Sequence, residues 1–251
     1  MSRPSLPRAR ATMRCLAFGL ALTLALTLTL TLTLLAQANA APNKNVAPGF
    51  VGLKVDDKVL MMPVDVELFS LSVGGVAEPK ADWTASAQQH MKVAIRTNKA
   101  KWKLAALEMS EANADEFAEQ VGLHAAVASA IALHHGVGGV WALPTKAGAL
   151  DWNFADAMQP LREKTGARYA LFAWVRDSYA SPERKAMMVG RALLGVGITG
   201  GSQIAYASLI DLDSPRVVWF NRLARASGDL REAAPAQESI DLLLAGFPAA
   251  K

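Results

Sequence analysis

Cysteine is all but missing from this chain: Cys15 is the single one, and it precedes a long apolar run. Whatever folds after that run holds no disulfide, no thiolate metal site and no cysteine nucleophile. No cysteine follows the run directly either, where a bacterial lipoprotein would need it. The motifs G-x-S-x-G, P-loop and H-E-x-x-H are absent, so no common hydrolase or nucleotide chemistry is written here. Charge of one sign is also lacking once the leader is set aside. The chain has 26 Lys+Arg against 22 Asp+Glu, but Arg3, Arg8, Arg10 and Arg14 stand in the leader without an acid, leaving 22 against 22. Nucleic-acid binding thereby loses its electrostatic warrant.

The basic leader continues into a Leu/Thr/Ala run from Leu16 to Ala36, and Ala38-Asn39-Ala40 supplies the small residues a signal peptidase reads. Residues 1–40 therefore read as a secretory signal peptide, with the mature chain periplasmic or secreted. Because the run is longer than an ordinary signal core, an uncleaved inner-membrane anchor over residues 16–36 is the alternative. Residues 41–49 are rich in Pro, Asn and Ala and read as disordered. Residues 50–251 are enough for a single α/β domain with a real core.

Periodicity supplies the elements of that domain. Tyr169, Leu171, Ala173 and Val175 alternate with Ala170, Phe172 and Trp174, so the strand is apolar on both faces until Arg176. Ile204 to Leu212 and Val217 to Leu223 form a β-hairpin around Asp213-Ser214-Pro215, and Asn221 marks where exposure returns. Phe50 to Val55 is a short first strand. Val59 to Phe69 is a second, ended by Gly74-Gly75 and Pro79, with Pro63 placing it at an edge or delaying its start. Trp102 to Leu107 is a further strand. Helices cover about Asp82–Lys99 (stripe Trp83, Ala87, Met91, Ala94, Ile95), Ser110 to His135, the stretch after Asn153, and Pro235–Gly246. The fold class is α/β (α+β): a mixed sheet of four to five strands with helices on its faces and a C-terminal hairpin and helix.

Three histidines, His124, His134 and His135, share the second helix. His124 and His135 are eleven residues apart, about 16 Å along a helix, and cannot share a metal. Gly195, Gly197 and Gly200 match G-x-G-x-x-G, but a helix precedes them and a strand follows, the reverse of a dinucleotide site. No metal, cofactor or catalytic residue is assigned. The insertion over residues 181–201 is apolar nearly all round, with Met187, Met188, Leu193 and Leu194 against a single charge from Ala186 onward, Arg191.

The strand opening Ala167-Arg168-Tyr169, a glycine-bearing insertion, and a hairpin carrying Leu209, Asp211, Leu212, Val217, Val218 and Trp219 together resemble a bacterial envelope α/β domain superfamily. That superfamily includes curli-secretion lipoproteins and the N-terminal domain of the Tol-system propeller protein. The likeness covers about residues 155–225; Pro215 stands where a turn glycine is usual. It implies a non-catalytic scaffold that binds other envelope components. The missing lipidation cysteine and the lack of long membrane-spanning hairpins argue against a secretion pore.

The expectation is thus an exported interaction or assembly factor whose partner is an envelope protein or a second copy of itself. It would use the sheet edge, the strand end Trp174, Arg176, Asp177 and Tyr179, and the insertion residues Met187, Met188, Leu193 and Leu194. One alternative is a periplasmic hydrolase using His134 or His135. The other is a membrane-surface protein binding peripherally through residues 183–201. N-terminal sequencing of the exported chain should begin at Ala41, and retention of Arg3 to Arg14 would identify the anchor instead.

Overall fold

The computed structural model describes residues 43–102 and 104–250. The leader, as signal peptide or as anchor, lies outside them. Strand β5 is named here first because the others assemble on it; it spans Tyr169–Ala180, and Tyr169 to Ala173 are all buried. On one edge it pairs in parallel with β1 (Lys58–Met61) and then β2 (Asp65–Leu71). On the other it pairs antiparallel with β6 (Gln203–Asp211), which carries β7 (Arg216–Arg225) in the expected hairpin. β4 (Ala105–Glu108) lies parallel outside β1, and β3 (Ala77–Pro79) antiparallel outside the far end of β2. The mixed sheet is as expected, in seven strand segments.

The higher count has two local causes. The expected strand Val59–Phe69 is split, because the three residues Met62, Pro63 and Val64 face only Phe172 and Ala173 on β5. Proline has no N–H for a ladder, and a one-residue bulge lets it sit inside a sheet instead of at an edge. Gly74-Gly75 does not simply end β2 but turns it into β3. Gly75, at φ +84°, donates to the Ser72 carbonyl at 2.9 Å, and Ser72 donates to that of Val76 at 2.9 Å.

Residues 50–55 form no strand; the Leu53 N–H donates to Pro248 O at 3.1 Å and its side chain is buried. Composition also misreads the chain just before. Ala47 donates to Val218 O and Phe220 to Asn45 O, each at 2.9 Å, so this segment is bound to β7. On β7 the same edge also receives Trp152 and Phe154, through Val217 N–H to Trp152 O and Phe154 N–H to Pro215 O.

Helices cover both faces. Against Val59, Leu171, Val175 and Leu209 lie α1 (Ala81–Lys99), through Ala87, Met91 and Ala94, and α5 (Ala233–Leu243), through Ala236, Ile240 and Leu243. Asn221 of β7 donates its amide to Leu243 O (2.9 Å) and Leu242 O (3.2 Å), satisfying carbonyls at the end of α5. Against Leu60, Ala170, Phe172, Ile210 and Phe220 lie α2 (Ala118–Ile131), with Ala128 and Ile131, and the neighbourhood of α3 (Gln159–Thr165), with Met158 and Leu161. Ser110 caps the turn leading to α2, its Oγ accepting from Asn113 N–H at 3.2 Å. A further helix, α4 (Pro182–Ala192), lies in the insertion.

Leu209, with no exposed surface in the second half of β6, should cost about 2–5 kcal/mol when cut to alanine. Gly201→Ala should also destabilise, because a Cβ there would sit 1.8 Å from Ser178 O. Urea unfolding midpoints of the two variants check both.

Candidate functional site

Over the second half of β5, α2 reaches only the neighbouring strand, where Ser129 bonds Tyr206 opposite Trp174. From Ala173 to Ser178 the burial alternates, with Ala173, Val175 and Asp177 buried and Trp174, Arg176 and Ser178 half-buried. The register brings Asp65 and Glu67 of β2 opposite Trp174 and Arg176, and Tyr206 and Ile204 of β6 on the other side. The rings stack in a row: Trp174 on Tyr206 with centroids 5.1 Å apart and planes at 9°, and Tyr206 on Phe220 at 6.1 Å. The Arg176 guanidinium lies 4.6 Å over the Trp174 ring and is held by Asp65 Oδ1 at 2.8 Å and Glu67 Oε2 at 3.4 Å. This part of the sheet face is a half-buried platform, aromatic in the middle and charged beside it, with Tyr206 meeting α2 at its rim.

The insertion follows β5 directly. Ser181 Oγ accepts the Arg184 N–H at 3.2 Å and so caps α4. Arg184 is buried among carbonyls: Nε and Nη2 donate to Thr199 O at 3.3 and 3.1 Å, and Nη1 to Ser72 O at 3.1 Å. One guanidinium thus ties the outgoing helix, the segment returning to β6 and the β2–β3 turn, with hydrogen bonds replacing the water it gave up. Met187 and Met188 are half-buried, and the Met188 Cε lies where a side chain at Gly200 would have to go. Beyond them Val189, Leu193 and Leu194 stand 66, 84 and 80% exposed.

The four strand-end candidates are not one surface. Strand alternation sends Asp177 and Tyr179 to the opposite face from Trp174 and Arg176. Tyr179 O–H donates to Asp177 Oδ2 at 2.6 Å and accepts from Leu230 N–H at 2.7 Å. Gln203 donates to Asp177 Oδ2 at 2.7 Å, and Arg225 Nε to Gln203 Oε1 at 2.8 Å. Burial pushes the Asp177 carboxyl up from its ordinary value, opposed by the bonds from Tyr179, Gln203 and the Ser178 N–H. Burial, then the bond to Asp177, raises Tyr179. Arg231, paired with Asp229, covers the Tyr179 ring at 4.3 Å and the Trp83 ring at 4.5 Å. This network fastens α1 and α5 to the sheet.

The histidines separate as well. His124 is buried, stacked on Phe172 at 4.9 Å with Nε2 2.9 Å from Ser208 Oγ. His134 and His135 lie after α2 in a turn of π-helix, Ala132–Val137, where Nδ1 of His134 bonds Trp141 O and Nε2 of His135 bonds Lys44 O, each at 2.7 Å. They border a recess of about 150 Å³ with Lys44, Lys146 and Trp152. Both bonded atoms are carbonyls, so neither imidazole has the carboxylate partner that would orient a general base. Among the described residues no three His, Cys, Asp or Glu side chains are placed to hold a metal, and no helix is long and apolar enough to cross a membrane. Sequence reasoning missed Tyr206 and Phe220, which pairing the hairpin register against Trp174 would have revealed. It also missed Lys146 and Trp152, which carry no sequence signal.

The fold and platform define an α/β domain with a half-buried aromatic patch on one sheet face and no assembled catalytic group among the described residues. No known protein family matches the sequence, and no curated protein does. Solved structures to which the chain is similar include the PelC dodecamer from Paraburkholderia phytofirmans, 16% identical over 82% of this chain and 95% of that one, with a TM-score of 0.39. The lipoprotein GNA1162 from Neisseria meningitidis is 12% identical over 76% and 98%, with a TM-score of 0.31. The LpoB C-terminal domain from Salmonella enterica is 12% identical over 71% and 87%, with a TM-score of 0.27. At these scores the functional reading rests on this chain's own residues.

His124 generates a pH prediction. Burial lowers its imidazole from the ordinary 6.5 to about 3. Between those values the unfolded chain binds the proton and the folded chain refuses it, so the unfolded state gains as pH falls. The contribution is whole above pH 6.5 and is lost progressively toward pH 3. His124→Phe should flatten the pH dependence of the urea midpoint across that window; an unchanged slope would place the effect elsewhere.

Proposed function

We propose that this chain is an exported, periplasmic, non-catalytic interaction or assembly factor of a bacterial envelope, docking a protein partner through the insertion and the half-buried Trp174–Arg176 part of the sheet face. The observation that carries the reading is the exposure of Leu193 and Leu194, at 84 and 80%, on an element whose base is pinned by buried Arg184. A single exposed leucine is ordinary. Consecutive leucines beyond Val189, at the end of an anchored helix, are what a partner surface requires. Trp174 and Arg176 offer the amphipathic ring and guanidinium favoured at interface centres. Asp177 and Tyr179 are left out because the buried network uses them, and the β7 edge is left out over residues 216–220 because other segments already bond it. The leader supports export; the backbone-bonded histidines favour a scaffold over the hydrolase reading.

A photocrosslinker at Leu193 should capture one discrete envelope protein, or a second copy of this chain, identified by mass spectrometry. Leu194→Glu should abolish that adduct with the urea midpoint unchanged. An intramolecular product alone would reduce the insertion to core cover. Liposome flotation that depends on Leu193 and Leu194 would favour the membrane-surface alternative.

A further inference from the structure

The recess beside His134 and His135 shares no residue with the docking surface, and its chemistry is different. Lys44 Nζ has no partner among the described residues. Lys146 Nζ donates to Asp151 O at 2.5 Å, stands 3.8 Å from Asp151 Oδ2 and lies 5.1 Å over the Trp152 ring. That Trp152 ring, stacked with His134 at 6.3 Å between centroids, keeps its indole N–H buried without a hydrogen-bond partner. Each imidazole donates to a carbonyl, because a carbonyl only accepts. The Arg222 side chain crosses Gly136, where an added Cβ would come within 3.0 Å of its Cδ, and brings a further cation to this end of the π-helical turn. Against Lys44, Lys146 and Arg222, the acid in contact among the described residues is Asp151 alone.

An excess of cations around a recess calls for an anion. We propose that this recess binds a small anionic ligand by its carboxylate or phosphate group, with Lys146 and Lys44 as donors beside the Trp152 ring. Its volume of about 150 Å³ corresponds to roughly five waters at ~30 Å³ each, which suits one anionic group or a single sugar acid.

The test follows the indole Nε1–H resonance of Trp152 in the purified protein, assigned by its loss in Trp152→Phe, during titration with inorganic phosphate, glucuronate and neutral glucose. Either anion should move the resonance saturably, and glucose should not. Saturation by phosphate only assigns a phosphate ligand; saturation by glucuronate only assigns a carboxylate. Lys146→Met should weaken the affinity by about tenfold or more, and so should Lys44→Met, whose side chain holds nothing else in place. Lys54→Met, a lysine elsewhere on the surface, should leave it unchanged. An equal response to glucose, no saturation by either anion at millimolar concentration, or full affinity in both recess lysine variants would overturn the proposal.

Discussion

β5 is hydrogen-bonded on both edges, so every other layer has to be arranged around a strand that exposes no backbone. Its first half is covered on both faces, by α1 and α5 below and by α2 with the Phe154–Leu161 segment above. Removing that much apolar side chain from water, at about 25 cal/mol per Å², is what holds a three-layer structure around a mixed sheet. Halfway along, the upper cover thins over Trp174 and Arg176 while the lower continues. The strand answers by alternating in its second half, and the asymmetry creates the platform of Trp174, Arg176 and Tyr206.

The lower face solves a different problem. Asp177 is a carboxyl in a dry position, where each lone pair left without a donor is costly. Tyr179, Gln203 and the Ser178 N–H meet it, and Gln203 passes the connection to Arg225 and Ser239 on the last helix. A buried acid alone would destabilise; inside this set it fixes how β6, β7 and α5 lie over one another. Polar atoms thus specify the docking of a helix whose apolar contacts alone would tolerate sliding.

Much of this was legible from residue spacing. The two-faced pattern of Tyr169 to Val175, the caps Ser110 and Ser181, and the stripe Ala87, Met91 and Ala94 all depend on local geometry, which the chain carries with it. Arg176 and Asn221 even marked where cover ends. What escaped required knowledge of partners distant in sequence. Pro63 reads as an edge signal until β5 shows a bulge opposite it. Ala-rich and Asn-rich residues before β1 read as disorder until β7 supplies their hydrogen bonds. Asp177 and Tyr179 looked like part of one functional strand end because linear proximity hides which face a side chain takes. The recess around Trp152 joins residues from four separate stretches, none distinctive alone.

The outer edge of β7 bears on how this protein meets others. Along Arg216 to Phe220 it is bonded not to a strand but to two irregular segments, one around Asn45–Ala47 and one around Trp152–Phe154. A visitor finds no open ladder there to extend, so recognition along this side must be written in side chains. Sequence-blind sheet growth between crowded copies of the chain is blocked at the same stretch.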